Sequence, residues 1–170
     1  MLRLTVVGLG YWGPNLVRAL GAVQGARLVA VADSLEANLE RIRPSIPGVL
    51  ATTDLRATLG EVDAVILATP PTTHHGLATL CLNAGKHVYI EKPITPGVEE
   101  AEDLARLASS RGLVVMVGHI YQYAPVVGRM AEVVASGELG DILYCSSVRA
   151  NLGRFSDQTD VVWDLLPHDL

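Results

Sequence analysis

Short apolar runs alternate with segments of helical hydrophobic spacing along the chain as far as Gly118. Apolar runs of this kind are typical of strands that are buried on both faces, whereas the intervening segments are typical of helices. The runs predict strands at residues 2–8, 26–32, 49–52, 63–68, 86–91 and 113–118. Helices or helical turns are predicted at 14–22, 35–43, 54–59, 72–82 and 96–111. This unbroken alternation predicts an α/β fold, a doubly wound parallel sheet with right-handed crossovers.

The pattern changes after Gly118. Residues 121–136 predict a helix with Pro125 in its first turn, because apolar side chains recur there at helical spacing. Residues 141–150 alternate in part between apolar and polar side chains and predict a strand, and residues 159–170 predict a further helix.

Composition and charge exclude several classes of protein. The 170 residues are 49% hydrophobic, enough for a sizeable core, and carry a formal net charge of −5. No basic run is present, so nucleic acids and anionic membranes are not expected partners, and no apolar run approaches the length of a membrane span. Cys81 and Cys145 follow no metal or redox spacing and are expected to be two buried free thiols in a reducing compartment. With no signal peptide before the first predicted strand, we expect a cytoplasmic protein.

A glycine-rich turn, residues 8–13 (GLGYWG), joins the first predicted strand to the first predicted helix. In that position it matches the dinucleotide-binding fingerprint of a Rossmann fold. Gly8 permits the tight turn, Gly10 lets a diphosphate approach the backbone, and Gly13 lets the helix pack closely on the strand. The N–H groups of the first helical turn would then face the anion. The alternative is a purely structural turn, since glycines are common in turns.

An acidic residue, Asp33, closes the second apolar run, about 20 residues after the last glycine of the turn. A carboxylate there can accept both ribose hydroxyls of an adenosine and would repel a 2′-phosphate. Ser34 and Leu35 follow it, rather than Arg or Lys, so NAD is expected as the cofactor in preference to NADP. Asp33 can instead be the N-cap of the helix at 35–43, or it can do both.

Several motifs, in order along nearly the whole chain, carry a resemblance to a known family. They are GLGYWG at 8–13, ATPPTTH at 68–74, EKP at 91–93, GH at 118–119 followed by YQYAP at 121–125, and DLLPH at 164–168. In this combination the chain resembles the Gfo/Idh/MocA family of nicotinamide-dependent sugar and polyol oxidoreductases. NLGR at 151–154 and WD at 163–164 resemble a branch associated with nucleotide-sugar and surface-polysaccharide metabolism.

The resemblance implies an NAD-binding Rossmann domain over residues 1–120. Residues 121–170 would form the first helix and strand of an incomplete α+β domain, the start of the domain for substrate and oligomerisation. Family members are usually much longer, so the chain is expected to be truncated within the helix that carries the DLLPH motif. A sugar or polyol substrate and a homo-oligomeric assembly are likewise implied.

By this resemblance, three residues would carry the chemistry. His168 would be the base that removes the hydroxyl proton, since an imidazole titrates near neutral pH. Lys92 would hydrogen-bond the reacting oxygen and orient the nicotinamide, and its peptide bond to Pro93 is expected to be cis. Asp164, four residues before His168 on the same helical face, would bind a second sugar hydroxyl or orient the imidazole.

Each of these residues also has a simpler interpretation. Lys92 can be an ordinary solvated lysine, His168 a surface histidine on a frayed helix, and Asp164 a favourable charge in an early helical turn. The adjacent His74 and His75 suggest a metal, but neighbouring residues diverge on a helix and the sequence indicates no third ligand. No metal site is therefore predicted.

Residues at the carboxyl ends of the predicted strands are expected to line the cofactor crevice, because these ends face the ligand in such sheets. Glu91 is expected either to contact the nicotinamide ribose or to flank the site. Trp12 is expected either to cover the cofactor or to pack against other side chains. The expected cofactor-binding residues are Gly8, Gly10, Tyr11, Trp12, Gly13, Asp33, Thr69, Pro70, His74, Glu91 and Lys92.

The sequence leaves three functional hypotheses. The first is an NAD-dependent dehydrogenase of sugars, nucleotide sugars or polyols. The second is an NAD-binding module without turnover, because the substrate domain is missing, and the third is a structural protein with a vestigial pocket. We expect the chain to bind NAD but to be a poor catalyst. We also expect residues 141–150 to be poorly ordered, or paired with another copy, since their strand edge lacks a neighbour.

Overall fold

The computed structural model describes residues 1–148, 162 and 166. The chain divides into two compact units, Met1–Gly118 and His119–Leu170. The strands of the first unit are β1 Leu2–Val7, β2 Ala26–Ala32, β3 Leu50–Thr52, β4 Ala64–Leu67, β5 His87–Ile90 and β6 Val115–Val117. Its α-helices are α1 Gly13–Leu20, α2 Glu36–Ile42, α3 Pro71–Asn83 and α4 Val98–Arg111. Short 3-10 turns at Arg43–Ser45 and Leu55–Thr58 flank β3.

The six strands form one parallel sheet in the order β3-β2-β1-β4-β5-β6. The order reverses between β1 and β4, so the chain winds outward from this point in both directions. This confirms the doubly wound parallel sheet that the alternation of apolar runs and helical segments predicts. In such sheets a crevice opens outside the carboxyl ends of the strands at the reversal point.

The strand register places the carboxyl ends of five strands at one edge of the sheet. Val7 lies opposite Ala32 on one side and Leu67 on the other. Leu67 in turn lies opposite Ile90, and Ile90 lies opposite Val117. The residues that follow these five along the chain, and therefore share the edge, are Gly8, Asp33, Ala68, Glu91 and Gly118.

Successive residues of a central strand face two separate cores. In β4, Val65 and Leu67 belong to the core that includes residues of α3 and α4. Ala64 and Ile66 belong to the core that includes residues of α1 and α2. All four side chains are buried, which explains why the strand forms an unbroken apolar run in the sequence.

Both cysteines are free thiols, as the sequence predicts. Cys81 of α3 is buried, and this burial raises the pKa of its thiol to about 12. A thiol of that pKa is not a nucleophile near neutral pH, so Cys81 is a core residue. Cys145 is exposed, so the expectation that both thiols are buried is wrong for this residue.

The second unit begins with a 3-10 turn at Ile120–Tyr123, followed by the helix α5, Pro125–Ala135. The helix predicted at 121–136 therefore begins at Pro125, because proline has no N–H to donate and suits the first helical position. The strand predicted at 141–150 is absent from residues 141–148, where no strand pairing is present. Its last two residues, and the helix predicted at 159–170 apart from 162 and 166, lie outside the described residues.

Helices in the described part of the chain are all too short or too polar to cross a membrane.

Candidate cofactor-binding site

The glycine turn leads from β1 into α1, and its three glycines differ in what surrounds them. Gly8 has a φ of 89°, in the left-handed region, and a Cβ there would lie 2.5 Å from the carbonyl oxygen of Ala68. A Cβ on Gly13 would overlap the carbonyl oxygen of Gly8. A Cβ on Gly10 would meet no protein atom within 4 Å. The fold itself therefore requires Gly8 and Gly13, whereas the open space at Gly10 is what an approaching ligand needs.

A cavity of about 520 Å³ opens beside this turn, at the reversal point of the sheet. It lies against the carboxyl ends of β1, β2 and β4 and the start of α3. Of the residues predicted to bind a cofactor, those that line it are Gly8, Gly10, Asp33, Thr69 and Pro70.

Asp33 lies at the cavity wall with only 7% of its surface exposed. Its Oδ2 accepts hydrogen bonds from the backbone N–H of Leu9 at 2.6 Å and the side-chain amide of Asn38 at 3.0 Å. Its Oδ1 accepts one from the N–H of Leu35 at 2.8 Å. Since α2 begins at Glu36 with Leu35 as its N-cap, the N-cap interpretation of Asp33 is wrong. A carboxylate offers about four acceptor sites, so about one is left for a ribose hydroxyl, rather than the expected two.

Glu91 anchors a hydrogen-bond network at the same edge of the sheet. Its Oε1 accepts from the indole N–H of Trp12 at 3.0 Å and from the hydroxyl of Tyr89 at 3.1 Å. Trp12 thereby reaches from the glycine turn across the end of β4 to the end of β5, and remains 39% exposed. A Cβ on Gly118 would lie 2.5 Å from the Tyr89 hydroxyl and 3.0 Å from Glu91 Oε2. A side chain at position 118 would therefore break this network.

His74 has a different place from the one that the sequence suggests. Its side chain is fully buried, with 0% exposed, rather than facing the crevice. Its Nε2 lies 2.8 Å from the carbonyl oxygen of Thr69, and its Nδ1 lies 3.0 Å and 3.2 Å from those of Pro93 and Ile94. The ring therefore contributes to the crevice indirectly: it hydrogen-bonds the backbone after β4 and the backbone after β5, and so holds these two segments together.

Lys92 follows Glu91 at the carboxyl end of β5 and is partly buried. Its peptide bond to Pro93 is cis, which confirms the expectation drawn from the resemblance. The other two predicted catalytic residues, Asp164 and His168, lie outside the described residues, so their roles stay predictions.

The histidine next along the chain, His75, pairs with Asp103 of α4, with Nε2 2.9 Å from Oδ2. The two adjacent histidines thus point to different partners, as neighbouring residues on a helix must. Across residues 1–148, 162 and 166, no three His, Cys, Asp or Glu side chains are grouped so that they could hold a metal ion.

Two site residues on α2 escaped the sequence reasoning. Asn38 lines the cavity and binds Asp33, and Arg41 lies one helical turn further along. The Nη2 of Arg41 donates to the carbonyl oxygen of Leu9 at 2.6 Å and to that of Gly10 at 3.3 Å. The sequence did contain one indication of these residues: Asn38 and Arg41 are polar, three positions apart on the helix that follows Asp33, and therefore share a helical face.

Comparison with known proteins agrees with this geometry. The family model described as "Oxidoreductase family, NAD-binding Rossmann fold" matches residues 2–119. Inositol 2-dehydrogenase of Mycolicibacterium smegmatis is 31% identical over 99% of this chain and 51% of its own length. The chain thus spans about half the length of the curated relatives that it matches.

Two solved structures share the fold at recognisable sequence identity. The crystal structure of GenD2 from gentamicin A biosynthesis, in complex with NAD, has a TM-score of 0.76 and 33% identity. The match covers 81% of this chain and 40% of that one. The second structure is a variant of KijD10, a 3-ketoreductase from Actinomadura kijaniata, in complex with TDP-benzene and NADP. It has a TM-score of 0.76 and 28% identity, and the match covers 83% of this chain and 44% of that one. With its glycine turn at the reversal point of a doubly wound sheet, the chain therefore belongs to the Gfo/Idh/MocA family of oxidoreductases.

Proposed function

We propose that this chain binds NAD at the carboxyl edge of its sheet, as the cofactor-binding part of an oxidoreductase. The observation that carries the proposal is Gly10, which lines the cavity and has open space where a Cβ would stand. Nothing in the described protein needs a glycine there, whereas a diphosphate approaching the backbone does.

The order of the strands gives the cofactor a direction. Asp33 follows β2 on one side of the glycine turn, and Glu91 and Lys92 follow β5 on the other. We expect the adenosine over β2, with a ribose hydroxyl on the free site of Asp33 Oδ1. The diphosphate would lie against Gly10, and the nicotinamide would extend past Trp12 towards Lys92.

The proposed reaction is hydride transfer between the nicotinamide and a carbon that bears a hydroxyl of a sugar, nucleotide sugar or polyol. Bound NAD would supply the hydride acceptor. Lys92 would donate a hydrogen bond to the substrate oxygen and stabilise the negative charge that develops there. By the family resemblance, His168 would take the hydroxyl proton, and Asp164 would hold a second hydroxyl or orient His168. The inositol 2-dehydrogenase relative and the TDP-benzene in the KijD10 structure support this substrate range.

We propose NAD rather than NADP because the Asp33 carboxylate would repel a 2′-phosphate. Replacing Asp33 with Asn keeps the shape of the side chain and removes its charge. The affinity for NADPH should rise relative to that for NADH, by about tenfold if one charge repulsion is relieved. Asp33→Ala should also weaken NADH binding itself, since the ribose hydroxyl loses its acceptor.

The control for Asp33 is Asp54→Asn, which alters an aspartate that caps the 3-10 turn at Leu55–Thr58. Affinities measured by titration of intrinsic fluorescence would decide the question. An unchanged ratio of NADPH to NADH affinity in Asp33→Asn would remove Asp33 from the specificity determinants.

A second candidate is an NAD-binding module that does not turn over. The observation that favours it is that the chain spans only about half the length of its relatives. The test is to assay NADH formation by this chain with myo-inositol, scyllo-inositol and a set of UDP- and TDP-sugars. Saturable NADH binding without turnover supports the module, and turnover above the rate without enzyme excludes it.

We also propose that the chain forms a homo-oligomer, as the family resemblance implies. The helix α5 has no buried residue, and its apolar side chains Val126, Met130 and Val134 are exposed. Sedimentation equilibrium would test this, and a monomer throughout the micromolar range would contradict it.

A further inference from the structure

Arg41, near the end of α2, holds the outer side of the glycine turn. Its guanidinium donates to the carbonyl oxygens of Leu9 and Gly10, through Nη2 at 2.6 Å and 3.3 Å. No carboxylate in the described part of the chain forms an ion pair with it. An arginine that donates to backbone carbonyls in place of a carboxylate brings a positive charge to these peptide groups without an ion-pair partner.

These two bonds fix the orientation of two successive peptide groups. In a trans peptide unit the C=O and the following N–H point in opposite directions. Because the carbonyl of Leu9 points towards Arg41, the N–H of Gly10 points away from Arg41. The carbonyl of Gly10 also points towards Arg41, so the N–H of Tyr11 likewise points away from it. Gly10 lines the cavity, whereas Arg41 is not part of its lining. The amide of Gly10 therefore points away from Arg41, on a residue that lines the cavity.

The amide of Gly10 needs a partner from outside the turn. Its N–H donates to no group among the described residues. An exposed amide on a glycine with open space above it is suited to receive an anionic oxygen. The charge of Arg41, on the other side of the same peptide groups, adds to the positive potential there.

The same helix face also fixes the other end of Leu9. Asn38, one turn before Arg41, donates to Asp33 Oδ2, which also accepts the N–H of Leu9. Leu9 is thus held at its N–H by Asp33 and at its carbonyl by Arg41. One face of α2 therefore sets both the carboxylate expected to bind the ribose and the peptide groups expected to bind the diphosphate.

We infer that Arg41 is a positioning residue for the diphosphate of the cofactor, because it turns the amide of Gly10 towards the ligand. The inference rests on the proposed NAD binding. It extends that proposal by assigning the anion site to a residue outside the glycine fingerprint.

The test compares Arg41→Met and Arg41→Lys with Arg43→Met in this chain. Arg43 is the matched control, since it lies two residues further on and pairs with Glu36 instead of the turn. The ligands are NADH and ADP-ribose, which contain the diphosphate, and adenosine, which does not. Affinities for NADH are measured by fluorescence, and those for ADP-ribose and adenosine by 15N-detected titration.

Arg41→Met should weaken NADH and ADP-ribose about tenfold, the effect of roughly one charged hydrogen bond, and leave adenosine within about twofold. The affinities of Arg41→Lys for NADH and ADP-ribose should lie between those of Arg41→Met and wild type, because lysine keeps the positive charge but cannot hydrogen-bond both carbonyls as the guanidinium does. The amide resonances of Gly10 and Tyr11 should shift in the ligand-free Arg41 variants and stay in place in Arg43→Met. If Arg41→Met does not fold, Arg41→Lys decides with the same three ligands.

Equal affinity of wild type and Arg41 variants for NADH would overturn the inference and leave the proposed function standing. An equal loss for all three ligands would also overturn it, since that is the result of general damage to the fold. A wild-type chain that binds neither NADH nor ADP-ribose would instead overturn the proposed function itself.

Discussion

At the scale of single residues, Gly10 is a position where a substitution should affect ligand binding without affecting folding. A Cβ at this position meets no protein atom, whereas a Cβ at Gly13 overlaps the carbonyl oxygen of Gly8. Gly10→Ala should therefore leave the melting temperature nearly unchanged and weaken NADH binding by about tenfold or more, because the methyl group occupies the approach of the diphosphate.

Gly13→Ala is the contrasting variant for this prediction. It should lower the melting temperature, because the added methyl group forces α1 away from β1. Thermal unfolding of both variants, with NADH titrations of Gly10→Ala, would check the pair. Wild-type NADH affinity in Gly10→Ala would mean that no ligand lies against this residue.

The buried ring of His74 is expected to matter more for stability than that of its partly buried neighbour, His75. Three backbone carbonyl oxygens, of Thr69, Pro93 and Ile94, face its two ring nitrogens. His74→Ala removes the ring that hydrogen-bonds in this group of carbonyls and opens a cavity, so we expect a loss of about 2–4 kcal/mol in the free energy of unfolding.

His75→Ala is the control for this change. It removes only a surface pair with Asp103, which is worth about 0.2–1 kcal/mol. Urea unfolding of the two variants measures the difference, and similar losses in both would contradict the role given to His74.

A residue's role can be predicted from the sequence where only one residue type meets the physical requirement of its position. Gly8 and Gly13 could be predicted because a positive φ and a close backbone approach admit little else. The burial of His74 could not, because it depends on carbonyls 19 and 20 residues away in the chain. Arg41 was missed because its partners are backbone atoms, so that only its helical spacing from Asn38 marked it in the sequence.

At the scale of elements, the starts of β1 and β4 are joined by a charged clamp. The guanidinium of Arg3 donates to Asp63 Oδ1 at 2.8 Å and Oδ2 at 3.2 Å, and its backbone N–H donates to Oδ2 at 2.8 Å. The Asp63 N–H donates in return to the Arg3 carbonyl at 2.8 Å. These bonds to Arg3 lower the pKa of the Asp63 carboxyl from its ordinary 3.8 to about 2.

The lowered pKa sets the pH range in which this clamp acts. A carboxyl whose pKa is lower in the folded state stabilises the fold above its unfolded-state pKa and loses that effect as the pH falls through the folded value. Asp63→Asn should therefore be less stable than wild type at pH 7. The difference should shrink between pH 4 and pH 2, the range bounded by the two pKa values.

Urea unfolding of wild type and Asp63→Asn at pH 7, 5, 4 and 3 would measure this difference. Asp54→Asn serves as the control, because Asp54 caps a 3-10 turn and bridges no strands. A difference between Asp63→Asn and wild type that stays constant from pH 7 to 3 would contradict the assignment.

Elements that are buried on both faces were predictable, and those that need a distant partner were not. The runs at 63–68 and 86–91 gave β4 and β5 within two residues at each end, because their side chains face both cores. Residues 141–148 alternate in part but form no strand, since alternation cannot supply a neighbouring strand for the backbone.

At the scale of the whole molecule, the strand order follows from rules that a sequence can satisfy unaided. Alternating strands and helices, right-handed crossovers and a glycine turn after the first strand leave few topologies, and the doubly wound order is among them. Which side chains share the edge depends on register: Val7, Ala32 and Leu67 are aligned by backbone pairing, which brings Gly8, Asp33 and Ala68 together.

The central claim is that a dinucleotide lies across this edge with its diphosphate against the glycine turn. The most direct measurement is a crystal structure of this chain grown with NAD. We predict diphosphate oxygens within hydrogen-bond distance of the Gly10 amide, a ribose hydroxyl on Asp33 Oδ1 and the nicotinamide on the β5 side. A crevice filled by protein side chains at saturating NAD, or NAD bound elsewhere on the molecule, would contradict the claim.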